Sequence, residues 1–509
     1  MHAIGIDIGT TNVKGVVVDL DDDGALVADA SAALRWQRDG DVAEQDAAAL
    51  WAAVLDVLGA LRAAAPDGAA AVGVVGLCGQ YSSIVPVDAS AQPVGPMRLY
   101  LDQRGTAPSL EVLGRHEEAF LTWVERHPIP PVGGGLALGH VLSLQLDSPR
   151  AHERTRAYLE AGDYVVARLT GTIATTQAGA YLGQLVDNRT LDASGYDEEL
   201  VRLAGVDPDR LPPLVPLGSV VGGLADEVAS AVGLPAGTPV VTPLTDSAAQ
   251  AVATGADREG RVGAVIGTTS VLLSSAPAMA ADFDHELFTM PGARPDRYLV
   301  SAENGIAGRA VEHLLGSVLR RADDDGDPFD GFEAALAASP AGARGVRFLP
   351  WLSGSMSPQN DPAMRGGLVG MSLEAGRDDV VRAAAEGVAH GLRWLLGPLE
   401  AFCSEAADEV VLTGGAARSP GWAQVVADVL DRPVHALADP THSGARAAAT
   451  WAAACLAEAG APRGDAAVAT QPLGATCIPD PAAVEVHAAA HAQFTAAFEA
   501  LRPLGLGRP

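Results

Sequence analysis

The sequence has few cysteines, no CxxC pair and no long apolar run. The four cysteines, Cys78, Cys403, Cys455 and Cys477, are scattered and have no histidines nearby at metal-ligand spacing. We therefore expect neither disulfide bonds nor a structural zinc site. No uninterrupted apolar stretch approaches the ~18 residues that span a bilayer, and the start lacks the pattern of a signal peptide. These features predict a cytoplasmic protein with no membrane partner.

Basic side chains are also scarce. The 509 residues include 34 lysines and arginines against 63 aspartates and glutamates, which gives a formal net charge of -29 with neutral histidines. Because binding to nucleic-acid phosphates requires a basic face, we expect no nucleic-acid partner. An anionic nucleotide would have to be held by backbone N–H groups, a few basic side chains and a metal ion.

The length exceeds what one hydrophobic core usually serves, so two domains are expected, at 1–250 and 251–509. A short internal repeat supports this division. The hexapeptide at residues 8–13, IGTTNV, recurs at 266–271 as IGTTSV, with apolar β-forming residues on both sides of each copy. Each copy is typical of a strand, a tight polar turn and a second strand. Two copies half a chain apart indicate two related domains that face each other.

Strand and helix patterns alternate along the chain, which predicts α/β domains with helices on both faces of mixed or parallel sheets. The expected strands are 71–77, 239–243, 410–412 and 433–437, and the expected helices are 43–64, 247–254, 421–430, 443–458 and 482–501.

The two repeated hairpins are candidate phosphate-binding loops. A glycine turn lets the backbone approach phosphate oxygens, and threonine hydroxyls add neutral donors. An ordinary hairpin with an Asx-type turn is the alternative for each copy. The candidate phosphate ligands are Gly9, Thr10, Thr11, Asn12 and Lys14 in the first hairpin and Gly267, Thr268, Thr269 and Ser270 in the second.

Two aspartates stand where chemistry could occur. Asp7 ends the strand before the first turn, and a carboxylate beside phosphates implies an intervening Mg²⁺, held largely through water. Asp246 follows a buried strand and begins a helix, which places it either in a cleft or at the helix N-cap. The local pattern favours the cap, and the two roles are not exclusive. The turn at 413–420, TGGAARSP, could admit a flat purine or could use glycine for its geometry alone.

These segments, in this order and spacing, resemble the FGGY carbohydrate kinase family, in its xylulokinase-like branch, within the actin-like ATPase fold group. The segments that carry the resemblance are GIDIGTTN at 5–12, LCGQ at 77–80, YLDQR at 100–104, TDSAA at 245–249, IGTTS at 266–270, FLPWLSG at 348–354 and TGGAARSP at 413–420.

The resemblance implies two related actin-like ATPase (ribonuclease H-like) α/β domains with a cleft between them. It implies ATP and Mg²⁺ as cofactors and makes Asp246 the catalytic base, against the local preference for a cap. The implied roles are sugar binding by Gln80, Tyr81, Ser82, Asp102, Arg104 and Asp246, adenosine binding by Gly414, Gly415, Ala416 and Ser419, and Mg²⁺ binding through water by Asp7 and Asp246.

The sequence departs from the family pattern where the sugar is read. Xylulokinase-like members carry Met-His-Gly after the Gly-Gln pair, whereas this chain has Tyr81, Ser82 and Ser83. The expected activity is phosphorylation of a ketopentose such as D-xylulose, with another ketose, a tetritol or a pentitol as alternatives. A different class of alternative is a non-catalytic sugar sensor or an ATP-driven relative of the same fold. A homodimer is left open.

Overall fold

The described part of the backbone forms two large sheets and two smaller ones. The structure, a computed structural model, describes residues 1–65, 67, 71–319, 326–457 and 471–507, so the predicted helix end at residue 458 lies outside it. The strands are β1 His2–Ile8, β2 Asn12–Asp19, β3 Ala25–Ala33, β4 Trp36–Asp39, β5 Val42–Gln45, β6 Val72–Gly79, β7 Ile84–Val87, β8 Met97–Arg98, β9 Ala157–Glu160, β10 Val220–Gly223, β11 Pro239–Val241, β12 Leu244–Thr245, β13 Val262–Ile266, β14 Thr269–Ala276, β15 Ala281–Asp282, β16 Leu287–Pro291, β17 Tyr298–Ile306, β18 Arg347–Leu349, β19 Gly367–Val369, β20 Val410–Thr413, β21 Val434–Leu437 and β22 Leu473–Cys477.

Helices cover both faces of the sheets. The α-helices are α1 Ala47–Ala64, α2 Thr106–Arg115, α3 Ala119–Arg126, α4 Ala137–Asp147, α5 Pro149–Arg154, α6 Ala161–Thr170, α7 Glu198–Ala204, α8 Asp226–Val232, α9 Asp246–Thr254, α10 Gly308–His313, α11 Phe332–Ala338, α12 Arg377–Cys403, α13 Pro420–Leu430, α14 Ser443–Ala457 and α15 Pro481–Leu501.

The two large sheets repeat the same local arrangement. The first has the order β10-β11-β6-β1-β2-β3, with β12 also paired to β6, and the second has the order β15-β16-β17-β14-β13-β20-β21-β22. In the first sheet the hairpin β1–β2 is antiparallel and β6 lies parallel to β1. In the second, β13–β14 is antiparallel and β20 lies parallel to β13. The repeat seen in the sequence is therefore a repeat of structure, and the predicted two-domain α/β fold is confirmed.

A third apolar core lies between the two sheets. Each large sheet has its own cluster of buried residues, and a separate cluster, rich in alanine, joins strands of both sheets to α9 and α14. Residue 250, where we expect the domain boundary, lies within α9. The division at 250 stays a prediction.

Helix α14 lies directly on the first sheet, although its sequence belongs to the second half of the chain. A Cβ atom on Gly5 of β1 would lie 1.8 Å from the Ala445 carbonyl oxygen. One on Gly76 of β6 would lie 2.1 Å from the Ala448 carbonyl oxygen. Only glycine fits at these two sheet positions, because the helix backbone itself occupies the space that a side chain would need.

Helix α1 is the one helix among the described residues that is long and apolar enough to cross a membrane. It buries Leu50, Val54, Val57 and Leu61 at helical spacing, in the core of the first sheet. The core helix of a soluble protein meets the same criterion, so α1 is weak evidence for a membrane span. The cytoplasmic location stays a prediction.

We predict that Gly5→Ala lowers the free energy of unfolding by about 2 kcal/mol or more, because the new methyl group overlaps the α14 backbone. Urea denaturation measures this. The matched control is Gly59→Ala within α1, where an added Cβ meets no atom within 4 Å. It should stabilise the helix by up to about 1 kcal/mol. Wild-type stability in Gly5→Ala would mean that α14 is not seated on β1 as described.

Candidate active site

The two glycine-threonine hairpins close at the ends of their sheets. In the first, the Gly9 N–H donates to the Asn12 carbonyl at 2.9 Å, and the Thr11 and Asn12 side chains are exposed. In the second, the Gly267 N–H donates to the Thr269 carbonyl at 2.9 Å, and Thr268 is exposed. Polar groups of both turns are therefore open to a ligand.

Two predicted phosphate ligands are placed differently from the rest. Ser270 is only 1% exposed, because it lies in β14 opposite Ile266 rather than in the turn. Its hydroxyl is closed to solvent in this conformation. The Lys14 ammonium group donates to the Thr441 carbonyl at 3.2 Å, just before α14.

The N-terminus of α14 links the floors of the two hairpins. A Cβ on Gly444 would lie 3.0 Å from a carboxylate oxygen of Asp7, at the end of β1. The neighbouring Ser443 hydroxyl accepts from the Thr413 hydroxyl at 3.2 Å, at the end of β20, and donates to Gln250 at 2.9 Å. Both sheet ends and α9 therefore meet at one point, the base of a cleft.

Asp246 is the first residue of α9, and it does not cap that helix. The N-cap is Thr245, whose hydroxyl accepts from the Ala248 N–H at 3.2 Å. The N-cap interpretation of Asp246 is therefore wrong. One Asp246 oxygen accepts from the Ser247 N–H at 2.6 Å, and the residue keeps a solvent-accessible surface although protein packs around its carboxyl group.

The pKa values of the acidic groups at this point are raised. The protein packed around Asp246 raises the pKa of its carboxyl to about 6; the Ser247 hydrogen bond opposes the rise, and the charge of Asp7 adds to it. Burial likewise raises the pKa of Asp7, although Lys14 opposes the shift. With a pKa of about 6, Asp246 is ionised at neutral pH but is a better proton acceptor than an ordinary aspartate.

Gln80 lies beside the first hairpin in a chain of side-chain hydrogen bonds. Its amide oxygen accepts from the Thr10 hydroxyl at 3.0 Å and from the Ser83 hydroxyl at 3.2 Å. Its amide nitrogen lies 3.5 Å from the Gln45 amide oxygen, and Gln45 in turn donates to the Thr10 carbonyl at 2.9 Å. The predicted sugar residue and the predicted phosphate loop are therefore held together.

Tyr81 and Ser82 point their hydroxyls into the protein. The Tyr81 phenol donates to the Ala178 carbonyl, and burial raises its pKa well above the ordinary value. Ser82, at a φ of 55° and 2% exposed, donates to the Gly135 carbonyl at 2.8 Å. Both predicted sugar ligands are occupied by intramolecular bonds.

Asp102 and Arg104 form an internal ion pair. The Asp102 carboxylate is fully buried and accepts from the Ala43 N–H at 2.9 Å and from the Arg104 guanidinium group at 2.6 Å. Burial alone would raise the pKa of Asp102, but the hydrogen bonds from Arg104 and Ala43 outweigh it and lower the pKa. Arg104 also donates to Glu44. The pair supports the wall of the site in this conformation.

Two residues without a predicted role, Tyr100 and Glu303, also lie within electrostatic reach of Asp246. Burial raises the pKa of the Tyr100 phenol, the charges of Glu303 and Asp246 add to the rise, and a hydrogen bond with Thr10 opposes it. Burial and Asp246 also raise the pKa of Glu303. Tyr100 is the first residue of the YLDQR segment, so this motif could have identified it. Glu303 lies in β17, beside β14, and had no sequence signal.

A cavity of about 390 Å³ joins the second hairpin to the 413–420 turn. It is lined by predicted ligands from both, Gly267, Thr268, Gly415, Ala416 and Ser419, together with Phe329, Phe332, Trp422, Arg309 and Arg418. The aromatic rings and arginines had not been predicted. A cavity with aromatic and charged walls that opens onto a candidate phosphate loop has the form of a nucleotide site.

Gly414 and Ser419 fix the geometry of the 413–420 turn beside this cavity. Gly414 has a φ of 83°, and a Cβ there would lie 2.5 Å from the Ile266 carbonyl oxygen. Ser419 caps α13 by accepting from the Trp422 N–H at 3.0 Å, and its hydroxyl donates to the Glu333 carboxylate.

Comparison with known proteins agrees with this arrangement. The model of the FGGY family of carbohydrate kinases matches the chain at 2–253 with its N-terminal domain and at 262–455 with its C-terminal domain. A gluconokinase of Bacillus subtilis (strain 168) is 25% identical over 443 residues, covering 85% of this chain and 83% of the relative. A xylulose kinase of the same strain is 26% identical over 436 residues, covering 85% and 84%.

The solved structures agree as well. The crystal structure of a xylulose kinase from Rhodospirillum rubrum superposes with a TM-score of 0.84 at 27% identity, covering 99% of this chain and all of that one. The similar proteins therefore include kinases of a neutral ketose and of a sugar acid.

We predict that Asp7→Asn lowers the pKa of Asp246, because it removes a nearby negative charge that disfavours ionisation. A pH titration of the aspartate side-chain carbons by NMR measures the shift. The control is Asp22→Asn, an exposed aspartate in the turn after β2, which should leave the Asp246 titration near pH 6. An unchanged midpoint in Asp7→Asn would contradict the charge coupling.

Proposed function

The chain belongs to the FGGY family of carbohydrate kinases, and we propose that it transfers the γ-phosphoryl group of ATP to a hydroxyl of a neutral ketose. A ketopentose such as D-xylulose is the expected substrate. The observation that carries this proposal is the position of Asp246. Its carboxylate lies at the base of the cleft, close to Asp7 and within electrostatic reach of Tyr100 and Glu303.

Asp246 is the proposed catalytic base. The attacking hydroxyl oxygen forms a bond to the γ-phosphorus, the bond to the ADP oxygen breaks, and the hydroxyl proton passes to the Asp246 carboxylate. A loose transition state requires alignment and charge neutralisation more than a strong base. A carboxylate with a pKa of about 6 is ionised at neutral pH and can accept the proton as the new bond forms.

The two hairpins together are the proposed phosphate-binding site. The first contributes Gly9, Thr10, Thr11 and Asn12, and the second contributes Gly267, Thr268 and Thr269. The cavity beside Gly415, Ala416 and Ser419 would hold the adenosine. Because the hairpins belong to opposite sheets, nucleotide binding and closure of the cleft would occur together and exclude water.

Asp7 and Asp246 are the residues proposed to bind Mg²⁺ through water. No three acidic, histidine or cysteine side chains of the described residues converge as a ready metal site. A pair of carboxylates suits Mg²⁺ nevertheless, since this ion usually keeps several waters and takes one or two carboxylates plus substrate phosphates. When bound, it would neutralise phosphate charge. The two carboxylates would orient its water ligands, and Lys14 would balance part of their charge.

The charges around the cleft support a neutral sugar over a sugar acid. Asp7, Asp246 and Glu303 are acidic groups whose pKa values are raised by burial and, for Asp246 and Glu303, by an acidic neighbour. Arg104, the basic residue predicted for the sugar, is engaged by Asp102 and Glu44. The carboxylate of an aldonate would be repelled by these acidic groups, and Arg104 is already paired with other carboxylates. Gluconate is therefore disfavoured, although gluconokinases are among the relatives.

A coupled ADP-release screen tests the function. We predict a sharp preference for one or two ketoses over pentitols, tetritols and glycerol, because a site built to bind particular hydroxyls strongly rejects analogues that lack them. Gluconate should be turned over at least about 100-fold less efficiently than the best ketose. A flat profile, or gluconate as the best substrate, would contradict the proposal. Hydrolysis of ATP that no sugar stimulates would favour the ATP-driven, non-kinase alternative.

The role of Asp246 is tested by Asp246→Asn. We predict that kcat falls by about 10²–10⁴ while folding and ATP binding survive, since Thr245 still caps the helix. The matched control is Asp226→Asn, because Asp226 is also the first residue of a helix and is exposed but lies in α8. The control should keep wild-type kinetics. An Asp246→Asn enzyme with more than roughly a tenth of wild-type kcat would remove Asp246 as the base.

A further inference from the structure

We propose that Glu160 is a positioning residue that fixes the backbone of residues 80–83, the sugar-reading loop. Through this loop it sets the orientation of the Gln80 amide toward the sugar. The proposal rests on the proposed function, because it assumes that Gln80 binds the sugar. Glu160 has no assigned role in the sequence analysis, and it lies outside the hairpins and the nucleotide cavity.

The sheet topology brings Glu160 to this loop. Strand β7 begins directly after residue 83, and it pairs antiparallel with β9, so that Ile84 lies opposite Glu160. From there the Glu160 side chain reaches back to the loop and accepts the Ser83 N–H at 2.9 Å. Glu160 is only 8% exposed, so this bond is formed away from water.

The loop needs such a support. Ser82 has a φ of 55°, in the left-handed region that a non-glycine residue adopts at a cost and keeps only when its surroundings hold it. Side-chain hydrogen bonds hold Tyr81 to Ala178 and Ser82 to Gly135. The Glu160 carboxyl group holds the backbone of the loop directly, because it accepts the Ser83 N–H.

The bond to Ser83 is one step away from Gln80. The Ser83 hydroxyl donates to the Gln80 amide oxygen at 3.2 Å, and the same oxygen accepts from Thr10 at 3.0 Å. If the Ser83 backbone moves, its hydroxyl moves with it, and the Gln80 amide loses one of the two donors that orient it. A change at Glu160 therefore reaches the sugar through Gln80 and leaves the nucleotide cavity untouched.

Glu160 acts here as a hydrogen-bond acceptor. Burial raises the pKa of its carboxyl well above the ordinary value, the Ser83 N–H opposes the rise, and the charges of Asp163 and Asp246 add to it. Its second oxygen, Oε1, is buried without a hydrogen-bond partner. The contact with the Ser83 N–H requires only the other carboxyl oxygen, Oε2. Glutamine has an equivalent carbonyl oxygen and nearly the same shape.

The test compares Glu160→Leu with Glu160→Gln, two variants of similar volume that differ in the acceptor. Glu160→Leu should raise KM for the preferred sugar about 10-fold or more and leave KM for ATP within about twofold. Glu160→Gln should stay within about threefold of wild type for both substrates. The control for a buried carboxyl is Asp163→Asn, whose partner is Thr175 rather than the loop; sugar KM should not change.

Two results would overturn the proposal: a Glu160→Leu enzyme with unchanged sugar KM, or a Glu160→Gln enzyme as impaired as Glu160→Leu. If Glu160→Leu does not fold, Glu160→Asp replaces it, because the shorter acid keeps the carboxyl but loses the reach to Ser83. These results are separate from the failure of the proposed function, in which the wild-type enzyme itself phosphorylates no sugar.

Discussion

The packing of α14 on Gly5 and Gly76 is the constraint on which the arrangement of the site depends. Because a helix backbone lies against two strands of the first sheet without side chains between them, the helix has little freedom to slide. Its first residues, Ser443 and Gly444, are thereby placed against Asp7 and against the end of the second sheet. The floor of the cleft is shared by both halves of the chain, so a nucleotide and a sugar bound there would sense each other through one packed contact.

A protein with a net charge of -29 can still bind a nucleotide, since the local donors decide. The turns offer backbone N–H groups and hydroxyls, which attract phosphate without a buried cation. The acidic groups below them, Asp7, Asp246 and Glu303, raise the pKa of Asp246 and Glu303 and are costly to hold together. A bound cation, and a proton accepted from the sugar hydroxyl, would relieve that cost, so the repulsion among these groups would favour the reacting complex.

The sequence was sufficient for features that depend on neighbours along the chain. The IGTT repeat predicts both hairpins, and the strand-to-helix junction predicts that Asp246 opens α9. It was insufficient where contacts are distant: Glu303 and Glu160 reach the site only through strand pairing. The N-cap error is local, because Thr245 and Asp246 are both good capping residues and one residue of helix register decides between them. Ser270 is buried because it pairs with Ile266 in the strand ladder and does not lie in the turn.

If Gln80 binds the sugar as proposed, the departure from the family at residues 81–83 acts by supporting the loop and not by contact with the sugar. In place of a Met-His-Gly segment, this chain has hydroxyls that bind Ala178, Gly135 and Gln80 within the protein. The groups that hold the loop thus differ from the family pattern, while Gln80, the residue proposed to bind the sugar, is kept. A hydroxyl-reading site rejects substrates by small errors in donor and acceptor position, so a change in the support of Gln80 can alter the preferred sugar without altering any proposed sugar contact. A change of this kind would let members of one family share the phosphate chemistry while their preferred sugars differ, as the names xylulose kinase and gluconokinase indicate for two relatives near 25% identity.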